Sequence, residues 1–365
     1  MRSLLMFGEP ENSYLRRFFD GVDKAITEEM QSGRSLLEEN LTFVLARLLD
    51  EQSTFQRILD YPLEKLNADL EACGSGAQVS IEFETNEHKK SFEAAVSHAD
   101  LGIVVRREGS IFGGPYTKGI IVQSKKLYHW KNRYSLRSAY EGFDPVQFTN
   151  LRDIASKYGR RGVFYFLYNP KIDAFPEEEA KILVALEARV CSLFGGPTFP
   201  IPYWHPELEY FFHKFLRRRP FVWSASTSEL PNPDHLRDER NRLLLSRPGL
   251  RVLGISSIEA IVESNKTIQK SFRLEECYRY AFSGHWFENS GAVPFLPLSS
   301  FIVDLVLGCH SGSDNENLVR IAEGKPPEPG PGDNVMEPAQ GLAVRHTLKI
   351  TFKSTLPKMD LRFHE

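Results

Sequence analysis

The sequence has little of what would tie a chain together by covalent or metal chemistry. Its four cysteines, Cys73, Cys191, Cys277 and Cys309, are scattered singly through 365 residues, whereas zinc ribbons and redox dithiols place Cys or His about two to four residues apart. They are expected to be reduced thiols of a cytoplasmic protein. Long apolar runs are lacking too. The best, Phe301 to Leu307, contains Asp304 and falls well short of the ~18 residues of a membrane-spanning helix, so no membrane partner is expected. Met1 to Met6 carries one Arg and reaches Glu9 and Glu11 at once, unlike a secretory signal. Nor does charge of one sign dominate: 45 basic against 48 acidic side chains leave −3, which excludes a uniformly basic nucleic-acid coat. Gly113-Gly114 and Gly195-Gly196 match neither a dinucleotide fingerprint nor a phosphate-binding loop and mark turns. No repeat of 20 to 50 residues is visible.

What is present is a hydrophobic fraction of 41%, and a length of 365 residues suggests about two domains of ~150 residues each. Leu37, Leu41, Val44, Leu45 and Leu48 recur at helical spacing within 34–51, with Ser35 available as a cap. Gln78 to Thr85 alternates as a strand does. Ala99–Arg107 and Gly119–Tyr128 predict two more strands, joined through the turn-rich Gly109–Lys118 as an antiparallel hairpin. Asp144 caps a helix to Tyr158 with Pro145 in its first turn and Val146, Leu151, Ile154 and Ala155 on one face. Val163 to Leu167 predicts a strand buried on both sides, and Pro176–Leu193 a helix led by three glutamates. Further on, helices are expected at 236–245 and 257–270 and strands at 252–255 and 345–353. A boundary is expected near Gly196, dividing the chain into 1–195 and a carboxy-terminal α+β region at 196–365, with a Pro/Gly-rich loop at 323–341.

The informative constellation lies in the hairpin. Asp100 opens one strand, and Gln123-Ser124-Lys125 lies inside the next. Side chains alternate on a strand, so Ile121, Gln123 and Lys125 share one face, and the hairpin brings Asp100 beside them. A carboxylate, an amide oxygen and the Ser124 carbonyl are the oxygen donors that Mg²⁺ or Mn²⁺ takes, and an ammonium beside them orients water or offsets charge on a phosphate. On the preceding helix, at about 100° per residue, Glu38 borders the arc of Leu41, Leu45, Leu48 and Leu49, while Glu39 lies about 100° away. A carboxylate beside the core face is costly unless ligated.

These segments, His98-Ala99-Asp100-Leu101 and Ile121-Val122-Gln123-Ser124-Lys125, together with the element order, resemble the PD-(D/E)XK nuclease superfamily over about residues 30 to 170. The resemblance implies an α/β restriction-endonuclease-like core of helix, three-stranded antiparallel sheet, helix and strand, and metal-dependent hydrolysis of phosphodiester bonds. It implies Asp100, Gln123 and Ser124 as metal ligands, Lys125 for the attacking water, Glu38 as supporting acid, and Gln147 near the site. Gln123 departs from the acidic form of the signature. Restriction or anti-phage defence in a prokaryotic cytoplasm, action on DNA in preference to RNA, and a homodimer or defence complex follow from the resemblance alone.

Residues 101–161 hold twelve Lys or Arg against four acids, and Arg106, Arg107, Lys118, Lys126, Lys131 and Arg133 are the candidate phosphate contacts. Tyr128, Trp130 and Tyr134 are interleaved with them as candidate stacking rings. The competing reading is a non-cutting nucleic-acid-binding or scaffold subunit that keeps the fold, with Lys125 a strand-end lysine and Asp100 a loop cap. His205, His213 and Arg217 to Arg219, set among aromatic residues, are expected to be core rings with solvated arginines, and Cys309-His310 to be structural.

Overall fold

The computed structural model describes residues 9–32, 36–73, 78–87, 99–108, 115–193, 249–264, 271–282, 293, 295–307, 311–328 and 344–355. The fold is of the α/β class, built on a mixed sheet that has nine strands among the described residues. Its strands are β1 (Gln78–Glu87), β2 (Ala99–Glu108), β3 (Tyr116–Tyr128), β4 (Ala139–Tyr140), β5 (Val163–Tyr168), β6 (Arg251–Gly254), β7 (Phe272–Arg273), β8 (Leu296–Pro297) and β9 (Val344–Thr355). The main order is β1-β9-β2-β3-β5-β6-β8, with β4 beside β3 and β7 beside β4.

The hairpin is as expected: β2 and β3 are antiparallel, with Leu101 opposite Val122 and Val104 opposite Gly119. Parallel pairing of β3 with β5 needs a crossover, which α4 (Pro145–Tyr158) supplies. Asp144 caps α4 by accepting from the Val146 amide, with Pro145 at the first helical position. The β-branched and aromatic residues of β5 are buried along its whole length, as a central strand covered on both faces requires.

The expected contiguous antiparallel triplet is corrected by β9. This strand lies between β1 and β2, antiparallel to the first and parallel to the second. Adjacency in sequence did not become adjacency in the sheet, because the apolar edge of β2 is met by Leu348 and Ile350 of β9, both buried. With β6 and β8 extending the far side, strands from beyond residue 196 share one sheet with those before it.

Helices cover both faces. The helix α1 (Glu9–Gln31) is absent from the expectations above, although Leu15, Phe18, Phe19, Val22, Ile26 and Met30 follow helical spacing and are buried. It packs with α2 (Glu38–Leu49) and α3 (Leu63–Ala72). The α2 helix is shorter than expected: Leu37 is its uncapped N-cap and is 57% exposed, while Leu41, Leu45 and Leu48 are buried. Val146, expected on the core face of α4, is also exposed, and Phe148 takes its place. The helices α5 (Glu177–Leu193), α6 (Ile255–Ser264) and α7 (Leu274–Phe282) follow. A turn at Leu298–Ser300, α8, widens into a π-helix over Phe301–Val306, the apolar run flagged above.

Finally α9 (Glu316–Ala322) lies against β2 and β3. Its approach depends on glycine: a Cβ on Gly102 would stand 2.0 Å from the Ala322 carbonyl oxygen, and one on Gly119 would stand 2.7 Å from the Val319 backbone. Among the described residues, no helix is long and apolar enough to cross a membrane. Cys73 and Cys277 are free thiols. The Ser35 cap, the 236–245 helix, the His205 to Arg219 segment, Cys309-His310 and the Gly196 boundary lie outside the described residues.

Candidate functional site

The β2–β3 register puts Asp100 beside Gln123, and the side chains meet. Oδ2 of Asp100 accepts from Nε2 of Gln123 at 2.7 Å and from the Ser124 amide at 2.7 Å. The same Gln123 nitrogen donates to the Ser124 carbonyl at 3.2 Å. One carboxylate oxygen and one main-chain carbonyl therefore converge on a single donor. The other atom of that amide, Oε1 of Gln123, is buried and has no hydrogen-bond partner among the described residues.

Lys125 follows on the same face, and its Nζ donates to the Gly142 carbonyl at 2.8 Å. Gly142 has φ +68°, a left-handed conformation that favours glycine, and it turns the loop ahead of α4 over the lysine. Gln147 sits half-buried in the first helical turns of α4.

Glu38 enters from the first turn of α2, its Oε1 accepting from the Lys126 amide at 3.3 Å. Burial raises its carboxyl above the usual range, opposed by the Lys125 ammonium and the Lys126 amide. Lys126 is lowered by its own burial, with Glu38 pulling the other way, and its Nζ donates to the Leu36 carbonyl at 2.7 Å.

On the opposite face, Thr42 anchors α2 to the strand. Its hydroxyl stands 3.0 Å from the Glu38 carbonyl, 2.9 Å from the Ser124 hydroxyl and 3.1 Å from that of Tyr168. Thr42 and Ser124 are fully buried, so this cluster fixes the height of Glu38 relative to β3. Tyr165, opposite Gln123 on β5, is fully buried; burial and then the Asp100 charge hold its hydroxyl in the protonated form. Reasoning from sequence missed Tyr165, Tyr168 and Gly142. The two tyrosines lie inside an apolar strand, where only the register shows which polar tip faces the site.

The geometry brings together Asp100, Gln123, Ser124, Lys125 and Glu38, and it separates several of the candidate phosphate contacts from them. Arg106, Arg107 and Lys118 lie at the far end of the hairpin, six residues or about 20 Å along the strand from Asp100. Arg106 is bound there by Glu323 at 2.5 Å, and Arg107 is buried. Lys126 is turned inward, as described. Lys131 and Arg133 are exposed.

A divalent cation fits this donor set on one condition. An amide turns over about a broad, roughly two-fold torsion. With Oε1 of Gln123 in the place of Nε2, three oxygens from Asp100, Gln123 and Ser124 converge, as hard cations require. The same turn puts Nε2 where Oε1 was, so the unpartnered end of the amide becomes its nitrogen. Among the described residues no cluster of three or more His, Cys, Asp or Glu side chains offers an alternative. The site is tight: Asp100, Gln123 and Lys125 are 6%, 3% and 4% exposed, while Glu141, Gly142 and Asp144, in the loop whose Gly142 carbonyl meets Lys125, are exposed. Comparison of the chain with protein-family models, with curated proteins and with solved structures gives no match.

Proposed function

We propose that the protein is a metal-dependent nuclease of the PD-(D/E)XK type that hydrolyses phosphodiester bonds. The observation that supports this best is the buried Gln123 amide, whose nitrogen is held between the Asp100 carboxylate and the Ser124 carbonyl while its oxygen has no partner among the described residues, with Lys125 two residues on. Asp100, Gln123 and the Ser124 carbonyl hold Mg²⁺ or Mn²⁺, which supplies charge neutralisation at the scissile phosphate and an acidified water. Lys125, released from Gly142, positions the attacking water and offsets charge developing on the phosphate. Glu38 balances the Lys125 charge, and Thr42 keeps α2 at the height that places it. DNA is the substrate proposed, and restriction or anti-phage defence in a prokaryotic cytoplasm, with a dimer cutting both strands, is the setting.

The test is incubation of purified protein with plasmid, linear duplex and single strands in Mg²⁺, Mn²⁺ or EDTA. Cutting that depends on the metal and falls at least about 100-fold in Asp100→Asn and Lys125→Ala is expected. Cutting that survives both substitutions removes this site from the reaction. A second reading has its own observation: Asp100 and Lys125 already hold internal hydrogen bonds and are almost fully buried. On that reading the cluster staples two strands and the loop, in a subunit that binds nucleic acid without cutting. Binding with no cleavage under any metal would select it.

A further inference from the structure

Five residues beyond Lys125, the chain turns sharply. The Trp130 amide donates to the Arg133 carbonyl at 2.8 Å, and the Arg133 amide donates back at 3.3 Å. The two central residues, Lys131 and Asn132, have φ of +52° and +65°, which is the two-residue turn with both centres left-handed. Asparagine tolerates that conformation. Lysine does so at a cost of order 1 kcal/mol, and the structure places it at the tip nonetheless.

This turn forms one wall of a cleft of about 600 Å³, lined by Trp130, Lys131, Arg133 and Arg137 and, from α5, by Glu179 and Ile182. The volume lies in the ~300–1,000 Å³ range of small-molecule sites. Tyr134 is drawn inward between His129 and Phe175, at ring-centroid distances of 4.0 and 5.9 Å. Trp130 is left 40% exposed, the one aromatic ring among the large exposed apolar side chains of the described residues.

The charge on the cleft is open. Lys131, Arg133 and Arg137 are exposed, and among the described residues none of them has an ion pair or a side-chain hydrogen bond. The acid facing them, Glu179, is turned to the Leu136 amide, which it accepts at 2.5 Å. Glu177 and Glu178, in the same first turn of α5, are bound by Lys181. Three unpaired cations around an exposed indole match a polyanion carrying flat apolar rings better than an acidic peptide, which has no use for the ring.

We propose that this cleft binds an unstacked base of a single-stranded nucleic acid, with Trp130 stacking on the base and Lys131, Arg133 and Arg137 contacting the flanking phosphates. A duplex does not present a free base face, so only an unpaired or splayed nucleotide can use the ring. The cleft lies at most about 18 Å from Lys125 along the chain. It therefore serves the proposed nuclease as a reader of single-stranded ends or flaps, a role that rests on that reading, whereas binding does not.

The test is fluorescence anisotropy of a labelled oligothymidylate and of a blunt hairpin duplex, all in EDTA so that cleavage plays no part. Tighter binding of the single strand is expected. Trp130→Ala should weaken it by about 5- to 150-fold, the worth of one stacked base, and Trp130→Phe should retain most of the affinity. Lys131→Ala and Arg133→Ala should each lower the salt slope by about 0.7, while Arg152→Ala on α4 leaves it unchanged. Equal binding of duplex and single strand, or an unaltered Trp130→Ala, overturns the proposal. So does displacement of the oligonucleotide by poly-glutamate in a Trp130-dependent manner, which assigns the cleft to an acidic peptide. Loss of cleavage with intact Trp130-dependent binding would count against the nuclease reading alone.

Discussion

The amide nitrogen of Gln123 lies 2.7 Å from Oδ2 of Asp100, in the middle of a sheet where both residues are buried. The pair is held together by a hydrogen bond whose donor occupies the position between two oxygens. Turning the amide over would bring its oxygen, in place of that donor, beside the Asp100 carboxylate and the Ser124 carbonyl.

Gln123→Glu converts this contact into two carboxylates at hydrogen-bond distance. Like charges that close share a proton or a cation. The variant is expected to melt below wild type in EDTA and to show a larger upward shift of Tm with Mn²⁺, read by differential scanning calorimetry. Equal Mn²⁺ shifts in the two proteins would speak against a metal at this position.

Glu38 imposes a pH dependence on stability. Its folded carboxyl is raised by burial, so the folded state binds this proton more tightly than the unfolded chain does. Its favourable contribution is present below the unfolded carboxylate range and is lost as pH rises through the raised folded value. Glu38→Gln keeps an acceptor for the Lys126 amide and cannot titrate. In thermal melts from pH 4 to 8, the stability of the variant relative to wild type is expected to increase with pH. A constant difference across that range would mean that Glu38 does not titrate in the interior.

The seat of α9 makes two glycines unequal. At Gly102 an added Cβ meets the Ala322 backbone at 2.0 Å, while at Gly162 it meets the movable Cδ2 of Leu318 at 2.2 Å. Backbone has nowhere to go without lifting the helix. Gly102→Ala is expected to cost about 3 kcal/mol, the top of the usual overpacking range, and Gly162→Ala roughly 1 kcal/mol. Urea unfolding midpoints for the two variants should separate accordingly.

Arg251 of β6 and Glu187 of α5 form a salt bridge with both side chains 3% exposed, and Tyr278 of α7 donates to the same carboxylate. The Glu187 charge lifts the Arg251 guanidinium against the opposing effect of burial. Removing one partner strands the other, so Arg251→Met alone should cost about 3–5 kcal/mol. The double variant Arg251→Met/Glu187→Leu is expected to recover most of that loss in denaturant titrations. Additive losses would show that the pair is not coupled.

The hairpin of β2 and β3, the capped α4 and the all-buried β5 were legible because each is a local matter: alternation, a cap with Pro145 behind it, an unbroken apolar run. Asp100, Gln123 and Lys125 were legible for the same reason, since strand parity alone assigns Gln123 and Lys125 to one face. Glu38 was found from helical phase. Leu37 and Val146, both apolar at helix starts, were misassigned to the core because the first turn of a helix has no neighbour behind it to be buried against.

What the sequence determined by itself is therefore the periodic part, the elements and the faces their side chains take, because those follow from backbone geometry over a few residues. The insertion of β9 between β1 and β2, the inward turn of Lys126, the Gly142 carbonyl over Lys125 and the orphaned oxygen of Gln123 were decided only in the tertiary structure. Each depends on segments separated in the chain being brought together, and that is chosen by the packing of the whole sheet rather than by any pattern within one segment.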